Sequence, residues 1–294
     1  MKIPMDNSFN SQFQDLIFLI NRDGSESKPR DLKVREYTLG QIDIDPTNVF
    51  ADFEARKFNF KYFAGELAWY MNRDRNIDYI NQFSGFWKKI TNPGTNEINS
   101  NYGSLLFNDQ LKWVYDSLIK DQHSRQAIAF LNQPKFQFEG NKDFVCTMYL
   151  NFWIRNNRLH MKVQMRSNDI FYGLTYDAPF FAFIHQHMYL WLKNDKYSDL
   201  QLGTYHHFAD NIHYYEHHFE LADSILEEST LIRQPYTMEL KEPMFVYDAD
   251  GNYHITSSGL MYINEVNRLV GSDAKMVDYQ NLIEKYLLNT KQHA

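Results

Sequence analysis

Apolar and polar positions switch between helical and strand spacing along this chain, with no repeating unit and no Gly/Ser/Pro linker to divide it. Residues 1–35 are polar and loop-rich around Asp23-Gly24-Ser25-Glu26-Ser27-Lys28. From Glu36 to Asp45 the pattern alternates in part (Tyr37, Leu39, Ile42, Ile44) and stops before Pro46, as a strand does. Phe58, Tyr62, Phe63, Leu67, Trp69 and Tyr70 form a broad apolar face that predicts a helix over 58–81. A loop follows at Asn92-Pro93-Gly94-Thr95-Asn96, and helical spacing returns over 105–120. Strands are predicted at 125–131, 144–154 and 159–165, the last two joined as a hairpin through Arg155-Asn156-Asn157-Arg158. Helices are predicted at 178–193, at 210–228 with several histidines, and at 274–289. Late strands are predicted at 236–241 and 244–255, the latter turning at Asp248-Ala249-Asp250-Gly251-Asn252. Strands and helices without regular alternation predict an α+β class in one domain over 1–294.

Composition narrows the function. The 294 residues include 20 Tyr and 23 Phe, enough apolar mass for a sizeable core. The net charge of −7 is spread along the chain, which argues against a basic face that coats nucleic acid. One small phosphorylated ligand needs only a few local arginines. The single cysteine rules out an intramolecular disulfide and a Cys-rich zinc site, and it fits a reducing cytosol. Met1-Lys2-Ile3-Pro4-Met5-Asp6 has no signal-peptide pattern. The longest apolar stretches, such as Phe180-Phe181-Ala182-Phe183-Ile184, fall short of the ~20 residues of a membrane span. A soluble cytoplasmic protein is expected.

A lone cysteine is usually a small buried hydrophobe, but Cys146 has company. Arg166-Ser167-Asn168-Asp169 follows it, then Gly173 and Asp177. Upstream stand Gly65-Glu66-Leu67-Ala68-Trp69-Tyr70, Glu97-Ile98-Asn99-Ser100-Asn101-Tyr102-Gly103 and Ser124-Arg125. These segments, in this order over about 28–220, resemble the thymidylate synthase family. The family's last polar position is usually Asn. Its replacement by Asp177 resembles the deoxycytidylate hydroxymethylases of tailed phages. From about Thr230 onward the resemblance gives no match.

The resemblance implies a three-layer α/β fold on a mixed, twisted sheet, in homodimers whose sheets pack back to back. It implies a nucleoside monophosphate substrate and 5,10-methylenetetrahydrofolate as co-substrate, with no metal. Cys146 would add to carbon 6 of the pyrimidine and make carbon 5 nucleophilic. Its thiol would be partly ionised by a neighbouring cation, Arg166. Glu66 would orient or deprotonate water, and Tyr102 would assist proton transfer at carbon 5. Arg30, Arg166 and Ser167 would hold the phosphate, joined by Arg125 from the other subunit. Gln126 stands where the family usually has a second arginine. Asn168 and Gly173 belong to the same nucleotide segment. Asp169 would contact the pterin, and Trp87 either lines the folate pocket or is a core residue. In the family a His-x-Tyr pair reads the sugar. His206 takes the histidine position, with Phe208 in place of the tyrosine, or His207 takes the role instead.

Asp177 carries the specificity argument. Uracil offers a donor at nitrogen 3 and a carbonyl at position 4, which an amide matches. Cytosine offers the reverse, an acceptor and an amino group. A carboxylic acid matches both, or a carboxylate pairs with a cytosine protonated at nitrogen 3. An ionised Asp177 facing the uracil carbonyl would oppose two acceptors, at a cost of ~1–3 kcal/mol or more.

The expectation is a deoxycytidylate 5-hydroxymethyltransferase that supplies modified cytosine for DNA. Three other enzymes remain open: a thymidylate synthase on deoxyuridylate, a cytidylate hydroxymethylase, and a folate-reducing cytosine methylase. A catalytically dead nucleotide- or RNA-binding homologue would be expected to lack Cys146, Glu66 or Arg166, and all three are present. His213 and His217 are four apart, the spacing of one helix face, but the glutamate spacing for a metal site is missing. Polar helix histidines are the preferred reading there.

Overall fold

The computed structural model describes residues 8–228 and 236–290. The opening segment Met1–Asp6 lies outside these. In chain order the elements are α1 (Phe9–Asp23), β1 (Ser25–Ser27), β2 (Val34–Ile44), α2 (Phe60–Asn72), α3 (Phe86–Ile90), α4 (Tyr102–Leu106) and α5 (Gln110–Lys120). There follow β3 (Ile128–Phe130), β4 (Thr147–Arg155), β5 (Arg158–Met165), β6 (Asn168–Asp169), α6 (Thr175–Asp195), β7 (Gln201–Tyr215) and α7 (Phe219–Glu227). The chain closes with β8 (Tyr236–Met238), β9 (Phe245–Tyr247), β10 (Tyr253–Ile255), α8 (Ser257–Val270), α9 (Met276–Leu287) and β11 (Leu288–Thr290).

The main sheet runs β1-β2-β7-β5-β4-β3, with β6 paired to β7. It is mixed: β7 runs parallel to β5 and β6 and antiparallel to β2. The β4–β5 hairpin turns on Asn156 and Asn157, both with positive φ. Two left-handed residues give the turn whose twist suits a two-residue hairpin loop. Helix α6 lies against β5 and β7. Consecutive residues from Ala178 to Met188 are buried all round it, as in a helix with no solvent face. Helices α2 and α4 pack on its other side through Tyr70, Tyr102, Phe180 and Phe181, and α8 and α9 cover α2. Within a single chain the opposite face of the sheet, bearing Tyr149, Trp153, His160, Lys162, His206 and Phe208, is only half-buried.

Two long helices, and the short α3, escape the sequence reading. Within the stretch read as loop, α1 buries Phe9, Phe13, Leu16, Ile17 and Ile20, and the Ser8 side chain caps its first turn. Beyond the late hairpin, α8 is capped by Thr256 and buries Tyr262, Ile263, Val266 and Leu269. The helix expected over 58–81 stops at Arg73, which takes a left-handed conformation. The stretch 105–120 divides into the end of α4 and α5.

The helix expected over 210–228 needs correction: β7 continues to Tyr215, and α7 starts only at Phe219. The misleading signal is a change of phase within the strand. Tyr205, His207 and Ala209 are buried before Asp210, and Ile212 and Tyr214 after it. Opposite this point Leu39 has a φ of 61°. A Cβ on the neighbouring Gly40 would lie 2.7 Å from Ile212 Cγ2, so only glycine allows the strands to meet there.

Candidate active site

Cys146 stands just before β4, and its carbonyl accepts from the Arg166 backbone N–H at 2.9 Å. This bond ties the end of β5 to the start of β4. The Arg166 guanidinium turns back on the same segment. Its Nε donates to Val145 O at 3.1 Å, and its Nη2 to Phe144 O at 2.5 Å and to Cys146 Sγ at 3.4 Å. The expected cation is therefore beside the sulfur. Burial nevertheless pushes the thiol up, against the pull of Arg166 and the weaker pull of Arg30, so the free protein does not hold a ready thiolate.

Glu66 lies on the buried face of α2 and is 5% exposed. Its Oε1 accepts from Tyr62 at 2.6 Å and from Tyr70 at 3.2 Å. Burial outweighs both donors and raises its carboxyl to about 8. The Trp87 indole N–H donates to the Tyr62 oxygen at 3.2 Å, and the Trp87 ring packs on Trp69. Trp87 is thus a core residue that also reaches Glu66 through Tyr62. Tyr102 opens α4, where Gly103 packs on the last turn of α2. A Cβ on Gly103 would lie 1.7 Å from Tyr70 O. The Tyr102 ring stacks on Tyr70, and its hydroxyl accepts from Thr147 Oγ1 at 2.9 Å.

The segment after Arg166 places the remaining polar groups. Asn168 Nδ2 donates to Asp177 Oδ2 at 2.7 Å, and burial raises Asp177 to about 6. Gly173 sits over this pair: a Cβ there would lie 2.6 Å from Asn168 Nδ2 and 3.2 Å from Asp177 Oδ2. Asp169 Oδ1 caps the turn into α6 by accepting from the N–H groups of Phe171 and Tyr172. Its Oδ2 is buried without a hydrogen-bond partner, and burial raises the carboxyl to about 7. Arg56 donates to Phe171 O at 2.7 Å and Thr175 Oγ1 at 3.1 Å, bracing the same turn.

His206 is not in this cluster. Its ring stacks on Trp153 at 5.5 Å, and its Nδ1 stands 2.7 Å from Asp43 Oδ1 on the half-buried sheet face. Phe208 shares that face, under the Lys162 ammonium. Strand alternation explains the correction: His206 and His207 point to opposite faces. His207 reaches Asn168 Oδ1 at 3.1 Å. Past the phase change, His213 lies 3.5 Å from Ser167 Oγ, and both Arg166 and Arg30 act on its ring. Tyr215 is within the electrostatic reach of Cys146, Asp169 and Arg30. The sequence repeats His-x-Tyr at His213-Tyr214-Tyr215, and here the tyrosine is present.

Arg30 takes a left-handed conformation in an exposed turn, and its charge acts on Cys146 and His213. Arg125 is exposed beside β3 and makes no ion pair among the described residues. His213 belongs to β7 and His217 to the turn after it, so they do not share a helix face. Among the described residues no group of three His, Cys, Asp or Glu could hold a metal ion, and no helix is long and apolar enough to cross a membrane.

A family model described as Thymidylate synthase matches residues 11–252. The chain belongs to the thymidylate synthase family. Its relatives within that family carry different activities in their names. Deoxycytidylate 5-hydroxymethyltransferase of Enterobacteria phage T2 is 26% identical over 232 residues, covering 74% of this chain and 94% of the phage protein. Deoxyuridylate hydroxymethyltransferase of Bacillus phage SP01 is 25% identical over 222 residues, 69% of this chain and 56% of its own. Thymidylate synthase of Mycoplasma genitalium is 24% identical over 283 residues, 83% of this chain and 96% of its own. The thymidylate synthase family thus accounts for the mixed sheet and for a transferase that acts on nucleotides.

Proposed function

We propose that this protein is a deoxycytidylate 5-hydroxymethyltransferase that uses 5,10-methylenetetrahydrofolate and supplies modified cytosine for DNA. The observation that carries the reading is Asp177, a buried carboxyl one hydrogen bond from Asn168 in the cluster around Cys146. Its value of about 6 lets either protonation state serve cytosine near neutral pH. As an acid it donates to nitrogen 3 and accepts from the amino group. As a carboxylate it pairs with a protonated ring.

Arg166, Arg30, Ser167 and His213 form a positive and polar rim suited to a phosphate and sugar. Binding places carbon 6 against Cys146. The thiol gives up its proton to water, a sulfur–carbon 6 bond forms, and the electron pair of the ring double bond moves to carbon 5. When bound, the folate would supply to carbon 5 a one-carbon unit at the oxidation level of formaldehyde and would leave as tetrahydrofolate. The residues fit such a co-substrate at one point above all, because the buried, unpartnered Asp169 Oδ2 suits an N–H donor on a ligand ring. Tyr102 and Thr147 hold the hydrogen-bond line through which the carbon 5 proton leaves. Glu66, fixed by Tyr62 and Tyr70, takes a proton from the water that becomes the new hydroxyl. Release of the sulfur from carbon 6 restores the aromatic ring.

The half-buried sheet face supports a homodimer. There, an exposed Arg125 from one chain reaches the phosphate site of the other. The reading includes a cytoplasmic location, that of the host if the chain is phage-encoded. A thymidylate synthase acting on deoxyuridylate is the second reading, supported by the long match to the Mycoplasma genitalium enzyme. Asp177 opposes it. Tyr215, with His213, offers the sugar a hydroxyl where Phe208 has none.

Tritium release from carbon-5-labelled deoxycytidylate, deoxyuridylate and cytidylate, each with methylenetetrahydrofolate, tests the reading. Release from deoxycytidylate alone, with a hydroxymethyl product by mass, is expected. Release mainly from deoxyuridylate overturns it.

A further inference from the structure

Behind Asp177 runs a line of buried groups that the chemistry above leaves unused. Asn168 Oδ1 stands 3.1 Å from His207 Nε2, and His207 Nδ1 stands 2.7 Å from the Tyr205 hydroxyl. Asn168 is 3% exposed, His207 1% and Tyr205 fully buried. Burial pushes His207 down to about 3, so its ring carries a single proton.

The orientation of the Asn168 amide sets the direction of the other hydrogens in the line. Asn168 donates its amide to Asp177 Oδ2. Its carbonyl therefore needs a donor, which places the His207 proton on Nε2. His207 Nδ1 is then an acceptor, and the Tyr205 hydroxyl donates to it. All the donors point toward Asp177. An oxygen that already accepts from Asn168 is a poor place for a proton, so a protonated Asp177 carries its hydrogen on Oδ1.

That assignment matters because a free carboxylic acid does not discriminate between the two bases. With the proton on one oxygen it offers donor then acceptor, which suits cytosine. With the proton on the other it offers the reverse, which suits uracil.

We propose that Asn168, His207 and Tyr205 are positioning residues that hold the Asp177 proton on one oxygen and so give the site its choice between cytosine and uracil. Gly173 leaves the room this line needs, since a Cβ there would press on both Asn168 and Asp177. The proposal rests on Asp177 as the residue that reads the base. It adds that Asp177 alone is not enough.

The test uses the full chain with Tyr205→Phe and, separately, Asn168→Ala. Without the Tyr205 hydroxyl, His207 Nδ1 loses its hydrogen-bond donor, the tautomer that donates to Asn168 Oδ1 loses its support, and both proton placements on Asp177 become available. Calorimetric Kd values for deoxycytidylate and deoxyuridylate, and tritium release from each, give the selectivity ratio. The ratio is expected to fall toward one by about tenfold or more in both variants, the scale of one misplaced hydrogen bond. Weaker binding of both nucleotides by the same factor, or a lower Tm with the ratio unchanged, overturns the proposal. If Asn168→Ala does not fold, the Tyr205→Phe ratio decides. A wild-type preference for deoxyuridylate would sink the deoxycytidylate reading and not this one, which is still judged by whether the ratio collapses.

Discussion

The Arg166 guanidinium lies 3.4 Å from the sulfur of Cys146 and is held there by the carbonyls of Phe144 and Val145. One side chain therefore fixes the backbone around Cys146 and sets a cation beside its sulfur. Burial still wins at the thiol. In the free protein, alkylation of Cys146 by iodoacetamide should be slow at neutral pH and should rise only above the ordinary thiol value. Arg166→Gln should move that profile to higher pH. A rate already at its plateau near neutral pH would show that the cation outweighs burial.

Glu66, Asp169 and Asp177 are raised to about 8, 7 and 6. Each folded value lies above the unfolded one. Their contribution to stability is therefore complete below about pH 4 and is lost as the pH rises through the folded values. Glu66→Gln keeps an acceptor for Tyr62 and Tyr70 and removes the titration. Its Tm should match the wild type near about pH 4 and exceed it near about pH 9. Its hydroxymethylation activity should fall by about two orders of magnitude or more. A Tm difference that does not change with pH would contradict the raised carboxyl.

Asp177→Asn swaps an acid for an amide within the same hydrogen bond to Asn168. Deoxycytidylate kcat/KM should drop by about 10- to 100-fold while deoxyuridylate is gained. Steady-state tritium release measures both.

Gly173→Ala should push Asn168 and Asp177 apart, because the new methyl would start 2.6 Å from Asn168 Nδ2. A loss of ~1–3 kcal/mol in stability is expected, together with weaker nucleotide binding. Thermal melts and calorimetry check both.

The stack of Trp153 on His160 and His206 sits in the middle of the half-buried sheet face. Trp153→Glu would bury a carboxylate between two sheets if the chain is a back-to-back dimer. Light scattering should then show a monomer, and activity should fall with it. A variant that remains dimeric would place the subunit contact elsewhere.

Much of the site was legible because its parts are close in sequence. Arg166 to Asp169, Gly173 and Asp177 run from the end of β5 through β6 and the turn after it into the first turn of α6, so their spacing fixes their geometry almost without help from the rest of the fold. The β4–β5 hairpin was legible for the same reason, since Asn156 and Asn157 specify the turn locally. Helix α1 was hidden by its many polar residues, although its apolar positions keep helical spacing.

The family was readable in the sequence alone, which also singled out Cys146 as the candidate nucleophile and Asp177 where the family usually has an amide. The sequence did not determine which histidine meets them. His206, His207 and His213 lie within one strand, and adjacent residues on a strand face opposite ways. The phase change opposite Leu39 then reverses the count. Only the pairing of β7 with β2 and β5 sends His206 to Asp43, His207 to Asn168, and His213 with Tyr215 to the region of Cys146 and Arg166. Burial settles the charges in the same way. Glu66, Asp169, Asp177 and the Cys146 thiol depart from their ordinary values because tertiary packing removes water from them, and no short stretch of sequence records that.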